Sequence, residues 1–167
     1  MTTASYSEKL TSPRTTALFA ALTLLCLLLG LWRYTIAGLG WLSGVLFVFA
    51  AFFLFYVFNF HTLRLTLTAQ ALTLTFGLFR WTVPLANIQS VRPDDTLTPL
   101  QRYGGAGLHF MLVGGRYRAN FNFLEHGRLV LQLKQPAGRV RDLSFSTRYP
   151  AELLQRLQAA LWDTSSN

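Results

Sequence analysis

Residues able to carry chemistry are few and far apart in this chain. His61, His109 and His126 are its three imidazoles, Cys26 its one thiol, and Asp94-Asp95 its one pair of adjacent carboxylates. A metal centre gathers several such ligands at one point. Here they would have to come from separate loops, whereas a solvated turn after Pro93 accounts for both aspartates. A single cysteine inside an apolar run allows neither an intrachain disulfide nor a cysteine-based metal site. His109 alternates with Leu108 and Phe110, which places it on the outer face of a sheet. No Ser-His-Asp or Cys-His set is available for nucleophilic attack, and the chain has no P-loop, G-x-G-x-x-G, H-E-x-x-H or G-x-S-x-G motif. Gly104, Gly105 and Gly107 read as turn residues, because no helix pattern follows them to supply a phosphate-binding N-terminus. The expectation is a protein that is not an enzyme, with no cofactor, no metal and no small-molecule substrate.

What the residues do offer is recognition. The segment from Pro93 to Ala106 (PDDTLTPLQRYGGA) is long for a link between strands. It contains Arg102 and Tyr103, types enriched in the cores of interfaces. Just beyond it, Arg116 and Arg118 follow the Gly114-Gly115 turn and, two apart on a strand, share one face. Arg102, Tyr103, Arg116 and Arg118 are therefore the candidate partner-binding residues, since planar guanidinium donors beside a rigid ring are typical of binding hot spots. A solvated basic face is the alternative.

These residues must be held by elements that the composition already constrains. Of 167 residues, 51% are hydrophobic and 13% charged, about half the charged share of an ordinary soluble domain. Fifteen Lys and Arg against seven Asp and Glu give a net charge of +8. That surplus suits anionic lipid or an acidic partner. It is scattered over the second half without a Lys/Arg run, which argues against nucleic acid.

Two apolar runs explain the imbalance. Thr15 to Trp32 has no charge over 18 residues and is hydrophobic all round, enough to cross a bilayer as a helix. Trp41 to Phe60, with 20 residues, is the stronger span, and Arg33 to Gly40 leaves room only for a tight turn. A cleaved signal peptide ending near Thr35-Ile36-Ala37 competes for the first run. Trp32, Tyr34 and Trp41 fit better as an aromatic belt at one membrane face, with His61 and Arg64 marking the other. The Phe-rich second span suits lipid contact or a docking surface for another membrane protein. One cation in the turn, Arg33, against Lys9, Arg14, Arg64 and Arg80 outside it places both termini in the cytoplasm and the protein, multi-pass, in the cell inner membrane.

Beyond Phe60 the period becomes two. Residues 62–68, 72–76, 79–83, 107–113, 116–122, 128–134 and 139–145 read as seven strands. Leu108, Phe110 and Leu112, then Tyr117, Ala119 and Phe121, then Leu129, Leu131 and Leu133 define inner faces. Arg116, Arg118, Asn120, Arg128, Gln132 and Lys134 decorate the other side. Tyr149 to Trp162 switches to helical spacing, with Pro150 and Glu152 suited to its first turn. The expected division is a tail over 1–14, a helical hairpin over 15–60 (15–32 and 41–60), one domain over 62–162, and a tail over 163–167.

This element order resembles a pleckstrin-homology-like (PH-like) fold, and the chain is similar to bacterial PH-domain membrane families. The pattern from Gly77 to Val91, with Gly77-Leu78, Arg80-Trp81, Val83-Pro84-Leu85, Ile88 and Ser90-Val91, carries the likeness, together with Tyr103-Gly104-Gly105-Ala106-Gly107 and the helix opened by Pro150. The resemblance covers residues 62 to 162. It implies an integral membrane helical hairpin plus an α+β PH-like domain, a seven-stranded antiparallel barrel or sandwich closed by a C-terminal helix. It also implies a non-catalytic scaffold or assembly factor that binds another membrane protein, in a layout similar to assembly factors for photosynthetic complexes. An anionic-lipid reader tethered by the hairpin is the alternative. Phosphoinositide recognition does not carry over, because the first hairpin turn, Ala69-Gln70, has no cation.

Overall fold

The first described element is a strand, β1 (Tyr6–Thr11), in a computed structural model that describes residues 6–94 and 107–165. Ser12 then caps the first helix, its Oγ accepting from Thr15 N at 3.0 Å, with Pro13 in the first turn, where a missing N–H costs nothing. This helix, α1 (Pro13–Ala37), ends at Gly38, whose φ of 69° suits glycine. A short turn leads to α2 (Trp41–Asn59). Both helices are long and apolar enough to cross a membrane. Most of their leucines and phenylalanines are exposed, Leu24, Leu28 and Phe58 among the most. Gly30 lets the helices approach, since a Cβ there would lie 3.0 Å from the Phe47 ring.

The rest is a two-sheet α+β domain. Strands β2 (Thr62–Leu67), β3 (Ala71–Phe76) and β4 (Phe79–Pro84) join β1 in an antiparallel sheet of order β1-β2-β3-β4. A 3-10 turn, Leu85–Asn87, carries the chain to the second sheet. It contains β5 (Ile88–Pro93), β6 (Gly107–Val113), β7 (Arg116–Asn122), β8 (Gly127–Ala137) and β9 (Val140–Thr147), ordered β5-β8-β9-β7-β6. A closing helix, α3 (Pro150–Ser165), follows. Leu63, Leu65, Leu72, Leu74 and Phe76 from the first sheet meet Phe121, Leu129, Leu131, Leu143 and Phe145 from the second, and Leu153 and Leu157 of α3 join them. Alternation accounts for this: in β2 and β3 every second residue is buried, as a half-solvated strand requires.

Three expectations need correction. The sheets do not close into a barrel: after the 3-10 turn β5 pairs with β8 rather than with β4, and β7 runs parallel to β9, so the second sheet is not purely antiparallel. The segment 1–14 is not simply a solvated tail, because Tyr6–Thr11 pairs along its whole length with β2, with Thr11 opposite Thr62. The hairpin is therefore inserted between two neighbouring strands of one sheet. The inner face assigned to β6 holds only at its start: Leu108 packs on the core, while Phe110 and Leu112 are 59% and 58% exposed because β6 is an edge strand.

Candidate functional site

The helices are bolted to one end of the domain. Thr15 Oγ1 accepts from Leu124 N at 3.3 Å, Tyr56 Oη donates to Leu108 O at 3.2 Å, and Asn59 Oδ1 accepts from Leu78 N at 2.9 Å. Thr16 and His61 meet at 3.3 Å. Phe60 is buried in the core, with its ring against Phe76 and Phe79. Gly77 must be glycine here, for its φ is 60° and a Cβ would collide with the Asn59 carbonyl. Gly107 lies against the Tyr56 ring. The strand ends at Thr11, Thr62, Phe76, Phe79 and Gly107 thus define the hairpin end of the domain.

Arg116 and Arg118 share the face of the second sheet opposite the core, and both reach Asp142. Arg118 is 1% exposed, with Nη1 3.0 Å from Asp94 Oδ1 and Nη2 3.9 Å from Asp142 Oδ2. Arg116 Nε donates to Asp142 Oδ1 at 3.0 Å and keeps 34% of its side chain exposed. Ser144 donates to Asp94 Oδ2, and Asn120 and Asn122 are buried alongside. Two cations and two carboxylates neutralise each other, so the cluster holds the sheet together, and Arg118 is not at the surface. Arg102 and Tyr103 lie outside the described residues. His109 faces the same side; burial holds its pKa below the usual imidazole value, and the charge of Arg128 lowers it further.

A second polar tie closes the domain around the insertion. Glu8, buried on β1, accepts from Thr147 Oγ1 at 2.7 Å, Arg148 N at 2.8 Å and Tyr6 Oη at 2.9 Å. Burial and the Glu8 carboxylate push the Tyr6 phenol up to about 12. Arg156, paired with Glu152, sits 5.5 Å from the centre of the Tyr6 ring.

Among the described residues, each sheet carries an exposed surface. On the second sheet, Phe110 and Leu112 of β6 lie beside Tyr117 of β7, which is directly opposite Leu112 and 44% exposed; Arg139 and Arg141 adjoin Tyr117 around a shallow cleft. On the first sheet, Lys9 is opposite Arg64, Arg64 opposite Thr75 and Thr75 opposite Arg80. This is one row across all four strands, with all three cations exposed. The sequence counts Lys9, Arg64 and Arg80 among the cations outside the helix turn and gives an interface role to Arg64; the strand register is what sets all three in one row. At the far end of the helices, Trp32, Tyr34 and Trp41 are 63%, 50% and 81% exposed. Among the described residues, no group of three His, Cys, Asp or Glu could hold a metal ion.

Neither a family model, a curated protein nor a solved structure matches the chain.

Proposed function

We propose that this is a non-catalytic membrane protein whose helical hairpin spans the bilayer and whose two-sheet domain, with a PH-like ancestry, holds another membrane protein at the cytoplasmic surface. One observation carries the reading: Phe110 and Leu112 of the edge strand β6 and Tyr117 of its neighbour β7 form a contiguous exposed apolar face. Monomeric domains seldom leave such faces uncovered. β6 (GLHFMLV) carries no formal charge and no proline, the usual devices against edge pairing. The other edge strands do: Glu8 and Lys9 in β1, Arg80 and Pro84 in β4, Arg92 and Pro93 in β5. Arg139 and Arg141 beside the apolar face call for a partner with an apolar centre and an acidic rim.

The junction supports the same role, because its hydrogen bonds and the buried Phe60 keep the docking face near the bilayer. Photocrosslinking side chains at Phe110 and Leu112, in native membranes, should trap one discrete protein that a probe at Thr73, on the other sheet, does not. Lipid adducts alone, or equal labelling from all three positions, would contradict the reading.

A further inference from the structure

We infer that the outer face of the first sheet is a contact surface for the anionic headgroups of the bilayer that holds the hairpin. The inference rests on the reading of that hairpin as membrane-spanning. The face is built almost wholly of hydroxyls: Ser7, Thr11, Thr62, Thr66, Thr73, Thr75 and Thr82 alternate with the buried leucines. Its charged residues are Lys9, Arg64 and Arg80, in one row. The acid of β1, Glu8, is buried and hydrogen-bonded to Thr147. No ion pair joins any of the three cations to a carboxylate among the described residues.

Such a row works against folding, because like charges directly opposite on paired strands repel. Lys9 and Arg64 are such a pair. An external anion removes the penalty, and the position of the row says which anion. Lys9 is two residues from Thr11 and Arg64 two from Thr62, so the row lies about 7 Å along the strands from the helix ends. That distance is within a Debye length at physiological salt. The β3–β4 turn adds an apolar contact at the same end: Leu78 is 83% exposed and Phe79 46% exposed, while Asn59 at the end of α2 holds the Leu78 amide. A basic row flanked by an apolar tip, held beside a span, matches an anionic membrane interface in both chemistry and height.

Each basic residue near an anionic surface shifts the equilibrium toward it by about fivefold, and three together by about a hundredfold. The full chain, with Cys26→Ser and a fluorophore on Thr82→Cys, would be placed in nanodiscs carrying a headgroup nitroxide quencher. The discs would be of phosphatidylcholine alone or mixed with phosphatidylglycerol; a fluorophore on Pro136→Cys is the reference. Thr82 should be quenched strongly in the anionic discs and weakly in the neutral ones, and the difference should vanish near 1 M salt. Lys9→Gln, Arg64→Gln and Arg80→Gln together should lower the docked-to-undocked ratio by about a hundredfold without altering the Pro136 signal. Equal quenching in both lipids, or quenching that survives the triple substitution, would overturn the inference. Failure of the chain to enter discs of either composition would overturn the spanning reading instead, and this one with it.

Discussion

Arg118 carries a charge that cannot leave the domain, since its guanidinium is enclosed by Asp94 and Asp142 with 1% of its side chain exposed. Arg116, two residues away on the same face, holds the same Asp142 from a partly solvated position. Removing one partner of a buried pair leaves an uncompensated charge and costs about 3–5 kcal/mol. A partly exposed pair is worth about 1 kcal/mol or less. Arg118→Ala should therefore lower the denaturation midpoint of the domain far more than Arg116→Ala, measured on the full chain in one detergent. Equal midpoints would mean that the cluster does not hold the sheet. In the sequence these arginines look alike, because strand alternation gives a residue's face and not what covers that face. Asp94 lies 24 residues before Arg118, and no local pattern links them. Glu8 was illegible for the same reason: its acceptor role is completed by Thr147, 139 residues later.

At the scale of elements, the signals with short periods were readable. Both apolar helices and the alternation in β2, β3, β8 and β9 come directly from residue types, and so does the amphipathic α3. β1 and β5 were missed because YSEKLT and IQSVRP carry charged or polar residues through short runs, and pairing rather than pattern makes them strands. The order of the second sheet was beyond reach as well, since a parallel β7–β9 pair depends on how the chain crosses over rather than on any one segment. The Gly77 turn tests the junction. Its φ of 60° already disfavours a side chain, and a Cβ would overlap the Asn59 carbonyl. Gly77→Ala should destabilise the domain by more than the roughly 1 kcal/mol expected for a left-handed glycine alone. Asn59→Ala, which removes the acceptor for Leu78 N without a clash, should cost about 1 kcal/mol. Thermal melts of the two variants in the same detergent make the comparison. A smaller loss for Gly77→Ala than for Asn59→Ala would show that the turn and α2 are not locked together.

The whole molecule is a sheet interrupted by a helical hairpin, and that arrangement makes an unusual demand on folding. β1 can complete its sheet only after α1 and α2 have formed and returned the chain to Thr62, opposite Thr11. The residues from 62 onward alone should fold poorly, because they lack β1, the Glu8 tie and the cover over β2. Replacing residues 13–59 by a short Gly-Ser linker should instead yield a folded β-rich domain, since neighbouring antiparallel strands need only a tight turn between them. Circular dichroism and a cooperative melt for the linked variant, against a broad melt for residues 62–167, are the expected outcome; equally cooperative melts would show that β1 is dispensable.

A hairpin that crosses the membrane puts β1 and β2 on one side and the Gly38 turn on the other, and cysteine labelling of intact cells distinguishes the two sides. With Cys26→Ser as background, Gly38→Cys at the helix turn should react with an impermeant maleimide from outside. Gln70→Cys, at the exposed β2–β3 turn, should react only after permeabilisation. Labelling of both positions from the same side would contradict a spanning hairpin.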